Sequence, residues 1–112
     1  TFMSKLNWIE IKSINQIPKS SNNYILIFKH SPRCIISKMT LFRFENAYDQ
    51  DVNISYFMYV DVIKMRDLSD EIAFKYSVCH ESPQLILLKN EKVLYHTSHS
   101  NINFSILKDY II

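Results

Sequence analysis

The residue with the clearest chemical potential in this sequence is Cys34, which follows an apolar run and a short polar turn. Residues 24–28 (YILIF) predict a buried strand, residues 29–33 (KHSPR) predict a turn, and Cys34 then stands at the first turn of a helix. Free backbone N–H groups and partial positive charge at a helix N-terminus favour a thiolate over a thiol. The spacing therefore predicts a nucleophilic cysteine at position 34.

The charges near Cys34 favour the same chemistry. Residues 11–44 contain no Asp or Glu. The basic and imidazole side chains close to the thiol in sequence are Lys29, His30, Arg33 and Lys38. We expect this cluster to stabilise a thiolate and to attract an anionic ligand. A solvated face is the alternative for the cations, and a cap on the strand end is the alternative for His30.

Two further residues bear on how a disulfide at Cys34 would be resolved. Ser37 stands where a dithiol oxidoreductase has its second cysteine, and a serine cannot close a disulfide, so another thiol is needed. Its hydroxyl is expected either to donate to the Cys34 thiolate or to satisfy backbone groups at the helix start. Cys79 is either a resolving thiol or a small buried hydrophobe, and its separation from Pro83 favours the second.

Composition limits the remaining function classes. The 112 residues predict one domain over residues 1–112, and a net charge of +2 gives no reason to expect nucleic acid or a membrane surface as a partner. The absence of glycine excludes glycine-rich phosphate loops. Positive φ angles are therefore expected at residues 22–23 and 90–91, because each pair begins with Asn, which tolerates such angles well. The histidines match no recognised spacing of metal ligands, so no metal is predicted. Two cysteines outside a disulfide framework predict a cytoplasmic protein.

The first half of the chain predicts alternating helices and strands. Ser13 is expected to cap a short helix that Pro18 ends. The helix after Cys34 is expected to run to about Tyr48 and to bury one side. The residues expected on that buried side are Ile35, Met39, Phe42 and Ala47.

The second half predicts a strand, a helix, a hairpin and a closing helix. The strand covers residues 54–63, and Asp67 or Ser69 is the expected cap of the helix that follows. The core residues of that helix are expected to be Leu68, Ile72, Ala73 and Tyr76. Residues 84–89 and 92–97 predict a hairpin. The closing amphipathic helix is expected to carry Ile102, Ile106, Leu107 and Tyr110. This order predicts an α/β fold, a central mixed β-sheet with helices on both faces.

The element order resembles the thioredoxin fold, with a cysteine at the start of the helix after the first central strand and a proline before the hairpin. Residues 60–62 (VDV), 73–78 (AFKYSV) and 82–83 (SP) are similar to a run in thioredoxins. This resemblance implies a cis peptide bond between Ser82 and Pro83 that faces Cys34.

A more specific resemblance is to the bacillithiol-system YtxJ-like family, the monothiol bacilliredoxins. It rests on residues 27–31 (IFKHS) with 34–37 (CIIS), 60–64 (VDVIK) with 66–69 (RDLS), and 80–84 (HESPQ), supported by 93–99 (VLYHTSH). The resemblance covers nearly all of the chain from about Ile14. One departure is that the family commonly has proline directly after the cysteine, where this chain has Ile35.

The family resemblance implies a monothiol thiol–disulfide oxidoreductase that removes bacillithiol from protein mixed disulfides through Cys34, with Ser37 as the second catalytic residue. The implied substrate-binding residues are Lys29, His30, Arg33, Lys38, Ser82 and Pro83. Bacillithiol would be a co-substrate with no bound cofactor, bacillithiolated proteins the partners, and a flavin-dependent bacillithiol disulfide reductase an indirect partner. The alternative is a non-enzymatic thioredoxin-fold binding module or redox scaffold, although the Cys-Gly-Phe-Ser motif of cluster-binding glutaredoxins is missing.

Overall fold

A computed structural model describes residues 6–19 and 22–111 of the chain. One sheet contains the strands β1 (Trp8–Glu10), β2 (Tyr24–His30), β3 (Tyr56–Asp61), β4 (Gln84–Lys89) and β5 (Lys92–Ser98). The α-helices are α1 (Ile35–Asn46) and α2 (Arg66–Tyr76), and short 3₁₀ helices cover Ile14–Gln16, His99–Asn101 and Phe104–Asp109. No helix in the described part of the chain is long and apolar enough to cross a bilayer.

The strand order is β1-β3-β2-β4-β5, with β1 and β2 parallel to β3 and with β4 antiparallel to both β2 and β5. All seven residues of β2 are buried, because strands flank it on both sides and helices cover both of its faces. The predicted mixed sheet with β2 at its centre is therefore confirmed.

The side chains of β2 alternate between two cores. Leu26 and Phe28 pack in the core beneath α1, which also contains Phe44. Ile25 and Ile27 belong to a second core with residues of α2. Because neighbouring residues of a strand point to opposite faces, the next two residues of β2, at positions 29 and 30, face opposite sides of the sheet.

The predicted buried side of α1 is wrong. Ile35, Met39 and Phe42 are 71%, 53% and 66% exposed, and Ala47 is exposed just beyond the helix. The residues of α1 that are buried are Ser37, Thr40, Leu41, Phe44 and Glu45. The helix thus buries a face that is partly polar and leaves its most apolar stripe in solvent.

The polar residues on the buried face of α1 are tolerated because two of them have partners. Trp8 donates its indole N–H to the Glu45 carboxylate at 2.7 Å, which satisfies an acid that is only 7% exposed. The Ser37 hydroxyl is hydrogen-bonded to His30 and to the Ser31 N–H at the end of β2. These hydrogen bonds stabilise the polar residues on the face that α1 buries together with Leu41 and Phe44.

Several predicted boundaries shift in the structure. Ser13 caps its short helix in a reciprocal capping box with Gln16, as predicted. The expected caps of α2 are wrong, because Met65 is the N-cap residue and both Asp67 and Ser69 lie inside the helix. Of the expected core residues of α2, Leu68, Ile72 and Tyr76 are buried and Ala73 is half-buried.

The expected closing helix is replaced by two 3₁₀ segments, although Ile102 and Leu107 are buried as predicted. The Asn103 side chain accepts the Ser105 N–H at 3.0 Å and so begins a new segment where a continuous helix would have run.

The tight turn of the hairpin is confirmed. Asn90 and Glu91 have φ angles of 54° and 64°, the left-handed pair that a two-residue hairpin turn requires. The other positive φ angles among the described residues are at Ser77 and His99, so that the expectation for residues 22–23 is not met.

Candidate active site

The register of the sheet brings three connections to one end of the molecule. Lys29 near the end of β2 pairs with Gln84 at the start of β4, and His30 pairs with Asp61 at the end of β3. The turn of residues 31–33, the loop that contains Ser82 and the loop after β3 therefore lie side by side. The Ser82–Pro83 peptide bond is cis, as the resemblance implied.

Cys34 stands at this end as the N-cap residue of α1 and is half-buried. Its backbone N–H donates to the Ser31 carbonyl at 3.0 Å, and its own carbonyl accepts the Lys38 N–H at 3.0 Å. The first bond closes the turn that follows β2, and the second begins the helix. The predicted placement of the cysteine at a helix N-terminus is therefore confirmed, with the partial positive charge of that terminus beside it.

Ser37 connects α1 to the end of β2. Its Oγ lies 2.7 Å from Nδ1 of His30 and accepts the Ser31 N–H at 3.1 Å. Burial lowers the pKa of His30 to about 4, against an opposing effect of Asp61, so the imidazole is neutral at neutral pH. The neutral imidazole and the Ser37 hydroxyl share one hydrogen bond between Nδ1 and Oγ. His30 consequently supplies a hydrogen-bonding group to this site and no positive charge.

Lys29 does not lie in the group of basic side chains beside Cys34. It is fully buried on the α2 side of the sheet, where Nζ donates to the carbonyl of Ser69 at 2.9 Å. Desolvation lowers its pKa to about 8, although the nearby Asp70 carboxylate opposes this shift. Because the ammonium is enclosed, the prediction that Lys29 contacts a ligand is corrected: its position in the structure is that of a buried structural residue.

Arg33 and Lys38 are the predicted basic residues that remain exposed near Cys34. Both line an open cleft of about 680 Å³ between α1 and the β1–β3 edge of the sheet. The other polar side chains at this cleft are Glu10, His30, Glu45, Tyr59, Asp61 and Lys64. The cleft carries both signs of charge, so it suits a polar ligand with both anionic and cationic groups.

The loop before β4 contains Ser82 and Pro83, which were predicted to bind the substrate. Pro83 is buried and its carbonyl accepts the His99 N–H at 2.9 Å. The Ser82 hydroxyl oxygen is buried and has no hydrogen-bond partner within residues 6–19 and 22–111. A ligand that contacts this loop would therefore meet its main chain before the Ser82 hydroxyl.

Cys79 precedes this loop, and its expected burial is wrong because the residue is exposed. Its carbonyl accepts the side-chain N–H of Gln84 at 2.8 Å, which fixes the backbone while the thiol stays at the surface. In the sequence, Cys79 directly follows Val78, just after the end of α2. Two adjacent residues form no periodic pattern, so the sequence could not indicate that Val78 is the buried one.

Several residues that form the cleft were not identified from the sequence. Asp61 is only 4% exposed and its Oδ1 accepts the N–H groups of Ile63 and Lys64 at 2.9 and 3.0 Å, which shapes the loop after β3. Burial raises the pKa of Tyr59 to about 12, so its phenol stays protonated. The feature of the sequence that could have identified Asp61 is an acidic residue at the end of a buried strand.

Within the described residues, His, Cys, Asp and Glu form no group of three or more that could hold a metal ion.

This combination of a five-stranded mixed sheet, a cysteine at the N-cap of the first central helix and a cis proline before β4 defines a thioredoxin-like thiol–disulfide oxidoreductase. A structure described as a proposed oxidoreductase with a thioredoxin fold is similar at 35% identity and a TM-score of 0.78, covering 91% of each chain. A family model for the monothiol bacilliredoxin BrxC matches residues 8–107. The chain belongs to the monothiol bacilliredoxin family.

More distant structures share the fold alone. Thioredoxin from Nicotiana alata is 17% identical with a TM-score of 0.72, and the match covers 98% of this chain and 94% of that one. Thioredoxin from Malassezia sympodialis is 16% identical with a TM-score of 0.68, covering 98% and 92%. These likenesses confirm the predicted thioredoxin-like fold.

Proposed function

We propose that the protein removes bacillithiol from mixed disulfides on protein cysteines, with Cys34 as the nucleophile. The observation that carries this proposal is the combination of a half-buried Cys34 at the N-cap of α1 with Ser37 one turn later. The N-terminus of a helix favours a thiolate. Ser37 has no thiol, so Cys34 cannot form a disulfide with position 37 of the same helix. The family membership supports bacillithiol as the thiol.

The reaction has two exchange steps. The Cys34 thiolate attacks the bacillithiol sulfur of the mixed disulfide, a new disulfide joins Cys34 to bacillithiol, and the protein cysteine leaves as a thiolate with the electron pair of the broken bond. A second bacillithiol thiolate then attacks the bacillithiol sulfur of the adduct. This releases bacillithiol disulfide and regenerates the Cys34 thiolate, so that no bound cofactor is needed.

Residues around Cys34 have distinct roles in this proposal. Arg33 and Lys38 are exposed at the cleft and attract the carboxylates of bacillithiol. Ser37 and His30 act as positioning residues, since the Ser37 oxygen accepts the Ser31 N–H and so holds the turn that presents the thiol. Ser82 and Pro83 contribute the main chain of the adjoining loop. A reducing cytoplasm is the compartment in which this chemistry is expected.

A full catalytic cycle tests the proposal. Reduced protein is mixed with a carrier protein that bears one bacillithiolated cysteine, excess bacillithiol is added, and the carrier thiol and bacillithiol disulfide are quantified together. Equal amounts of both products, absent with Cys34→Ser and kept with Cys79→Ser, support the proposed cycle. Activity that survives Cys34→Ser contradicts it. No turnover, together with alkylation of Cys34 no faster than that of Cys79, would indicate a thioredoxin-fold binding module instead.

A further inference from the structure

Helix α1 carries four large apolar side chains in solvent: Ile36 is 62% exposed, and three others are aligned along the outer face. Ile35, Met39 and Phe42 are 71%, 53% and 66% exposed and lie at positions i, i+4 and i+7 of the helix. Side chains at this spacing form one continuous stripe. We call these three residues the α1 stripe. Apolar side chains gathered on one surface are typical of an interaction site, whereas single exposed ones are ordinary.

The α1 stripe begins at the residue that directly follows Cys34. The rise from Ile35 to Phe42 is about 10 Å at 1.5 Å per residue, which is the length of about three residues of extended chain. When Cys34 attacks the small thiol of a mixed disulfide, the protein cysteine that carries this thiol is only one sulfur atom further away, so the residues that flank that cysteine can lie along the stripe.

The charges beside the α1 stripe distinguish between possible occupants. Lys38 flanks it on one side and Arg43 on the other, both exposed, and residues 11–44 contain no acid. An antiparallel contact between two copies of α1 would bring these cations together, which disfavours a second copy of the chain. The outer face of a 12-residue helix is also much smaller than the roughly 800 Å² per partner that stable complexes bury.

We propose that the α1 stripe is the docking surface for an apolar segment of the protein from whose cysteine Cys34 removes the small thiol. The segment lies within about three residues of that cysteine, because the stripe has that reach. Acidic residues beside the segment would pair with Lys38 and Arg43. The contact is transient, as a redox partner requires, and it selects among proteins that carry the same small thiol. This proposal rests on the proposed function only in taking Cys34 as the reacting thiol.

The test uses a leaving group that is not bacillithiol. Two synthetic peptides carry one cysteine as a mixed disulfide with thionitrobenzoate, one with Leu and Phe within three residues of the cysteine and the other with Ser at those positions. The Cys34 thiolate attacks the peptide sulfur, forms a Cys34–peptide disulfide and releases coloured thionitrobenzoate. All proteins carry Cys79→Ser, so that Cys34 is the reacting cysteine.

The Cys79→Ser protein is expected to react roughly tenfold faster with the apolar peptide at subsaturating concentration, the factor that partial burial of one large apolar side chain provides. The double variant Met39→Ser/Phe42→Ser is expected to lose this preference while reacting with the Ser peptide at an unchanged rate. Phe74→Ser is the matched control, because Phe74 is 89% exposed on α2, away from the stripe. It is expected to keep the preference.

Three results would overturn the docking proposal. They are equal rates for the two peptides, a preference that survives in the double variant, and a dimer in sedimentation that Phe42→Ser dissociates. Failure of Cys34 to react with either peptide would count against the proposed function itself, and the docking proposal would fall with it. Unchanged thermal unfolding and an unchanged rate with the Ser peptide show that the double variant is folded.

Discussion

Oγ of Ser37 lies 2.7 Å from Nδ1 of His30, and this contact joins the first turn of α1 to the last residue of β2. Ser31 donates its N–H to the same oxygen, so one hydroxyl of α1 binds two consecutive residues where the turn before Cys34 begins. The position that holds the second cysteine in dithiol relatives therefore has a structural role here. Loss of the hydroxyl affects folding and the placement of the thiol together.

Replacement of Ser37 by Ala is expected to lower the free energy of unfolding by about 1–3 kcal/mol, because it leaves buried polar partners unsatisfied. Urea unfolding at pH 7 measures the change. Thr40→Val is the control on the same helix, since the Thr40 hydroxyl is buried without a hydrogen-bond partner in the described part of the chain. That variant is expected to be neutral or slightly stabilising, and an equal loss in both variants would contradict the role given to Ser37.

Protonation of His30 is expected to destabilise the fold in acid. The unfolded residue titrates near 6.5 and the folded one near 4, so between these values the unfolded state binds more protons. The stability contributed by His30 is complete above about pH 6.5 and is lost as the pH falls towards 4. His30→Asn, which keeps an acceptor for Ser37, is expected to show a shallower decline of unfolding free energy over this window.

Urea unfolding at several pH values between 4 and 7 checks this prediction. His96→Gln is the control because His96 is exposed on β5, and it is expected to keep the slope of the parent protein. A His30→Asn variant with the parent slope would show that the imidazole is not held neutral by burial.

Buried Lys29 is expected to have a signature of the same sign in alkali. Its pKa near 8 in the folded state lies below the ordinary 10.5, so the unfolded state binds more protons between these values and stability from this group rises with pH. Lys29→Met is expected to remove this rise and to be neutral or stabilising at pH 7, since a buried ammonium is costly. Unfolding free energies from pH 7 to 10 test it, with exposed Lys92→Met as the control. A steeper rise in Lys29→Met would contradict the assignment.

The exposed cations at the cleft are expected to act on the co-substrate. Arg33→Gln and Lys38→Gln should each raise the KM for a bacillithiolated carrier roughly two- to fivefold, the range for single exposed charges. The effect should shrink as salt is added, because screening weakens surface charges. Lys12→Gln, exposed outside the cleft, is the control. A loss that is unchanged at high salt would show that these residues do not act through charge.

The exposed thiol of Cys79 is expected to be dispensable. Cys79→Ser should transfer bacillithiol at the parent rate, because the proposed resolving thiol is a second bacillithiol. Mild oxidation of the parent protein should give no intramolecular disulfide, which intact mass and proteolytic mapping under non-reducing conditions would detect. A Cys34–Cys79 disulfide, or loss of turnover in Cys79→Ser, would identify Cys79 as the resolving residue.

Sequence reasoning predicted the sheet and the place of Cys34 at a helix start because both depend on local patterns. The apolar run of β2, the turn after it and the helix that starts at Cys34 lie within a few residues of one another. The orientation of α1 was not predictable in this way. Periodicity located the stripe of Ile35, Met39 and Phe42. It could not show that Trp8, which is distant in sequence, and His30, at the end of β2, stabilise the opposite polar face.

The same limit applies to the basic cluster. Proximity in sequence grouped Lys29 with Arg33 and Lys38, yet the alternation of β2 sends Lys29 to the α2 side, where Ser69 binds it. Asp61 reaches the site only through the parallel pairing of β3 with β2, a contact that no local pattern contains. Pairing between strands therefore determines which predicted site residues meet.

The most direct test of the central claim is the intact mass of the reduced protein after mixing with one equivalent of a bacillithiolated carrier, with the glutathionylated form of the same carrier in parallel. One bacillithiol adduct on Cys34 is expected, formed faster than the glutathione adduct and absent in Cys34→Ser. An adduct on Cys79 instead, or no adduct from either donor, would contradict the assignment of Cys34 as the residue that takes the thiol. Faster transfer from the glutathione carrier would contradict the choice of bacillithiol.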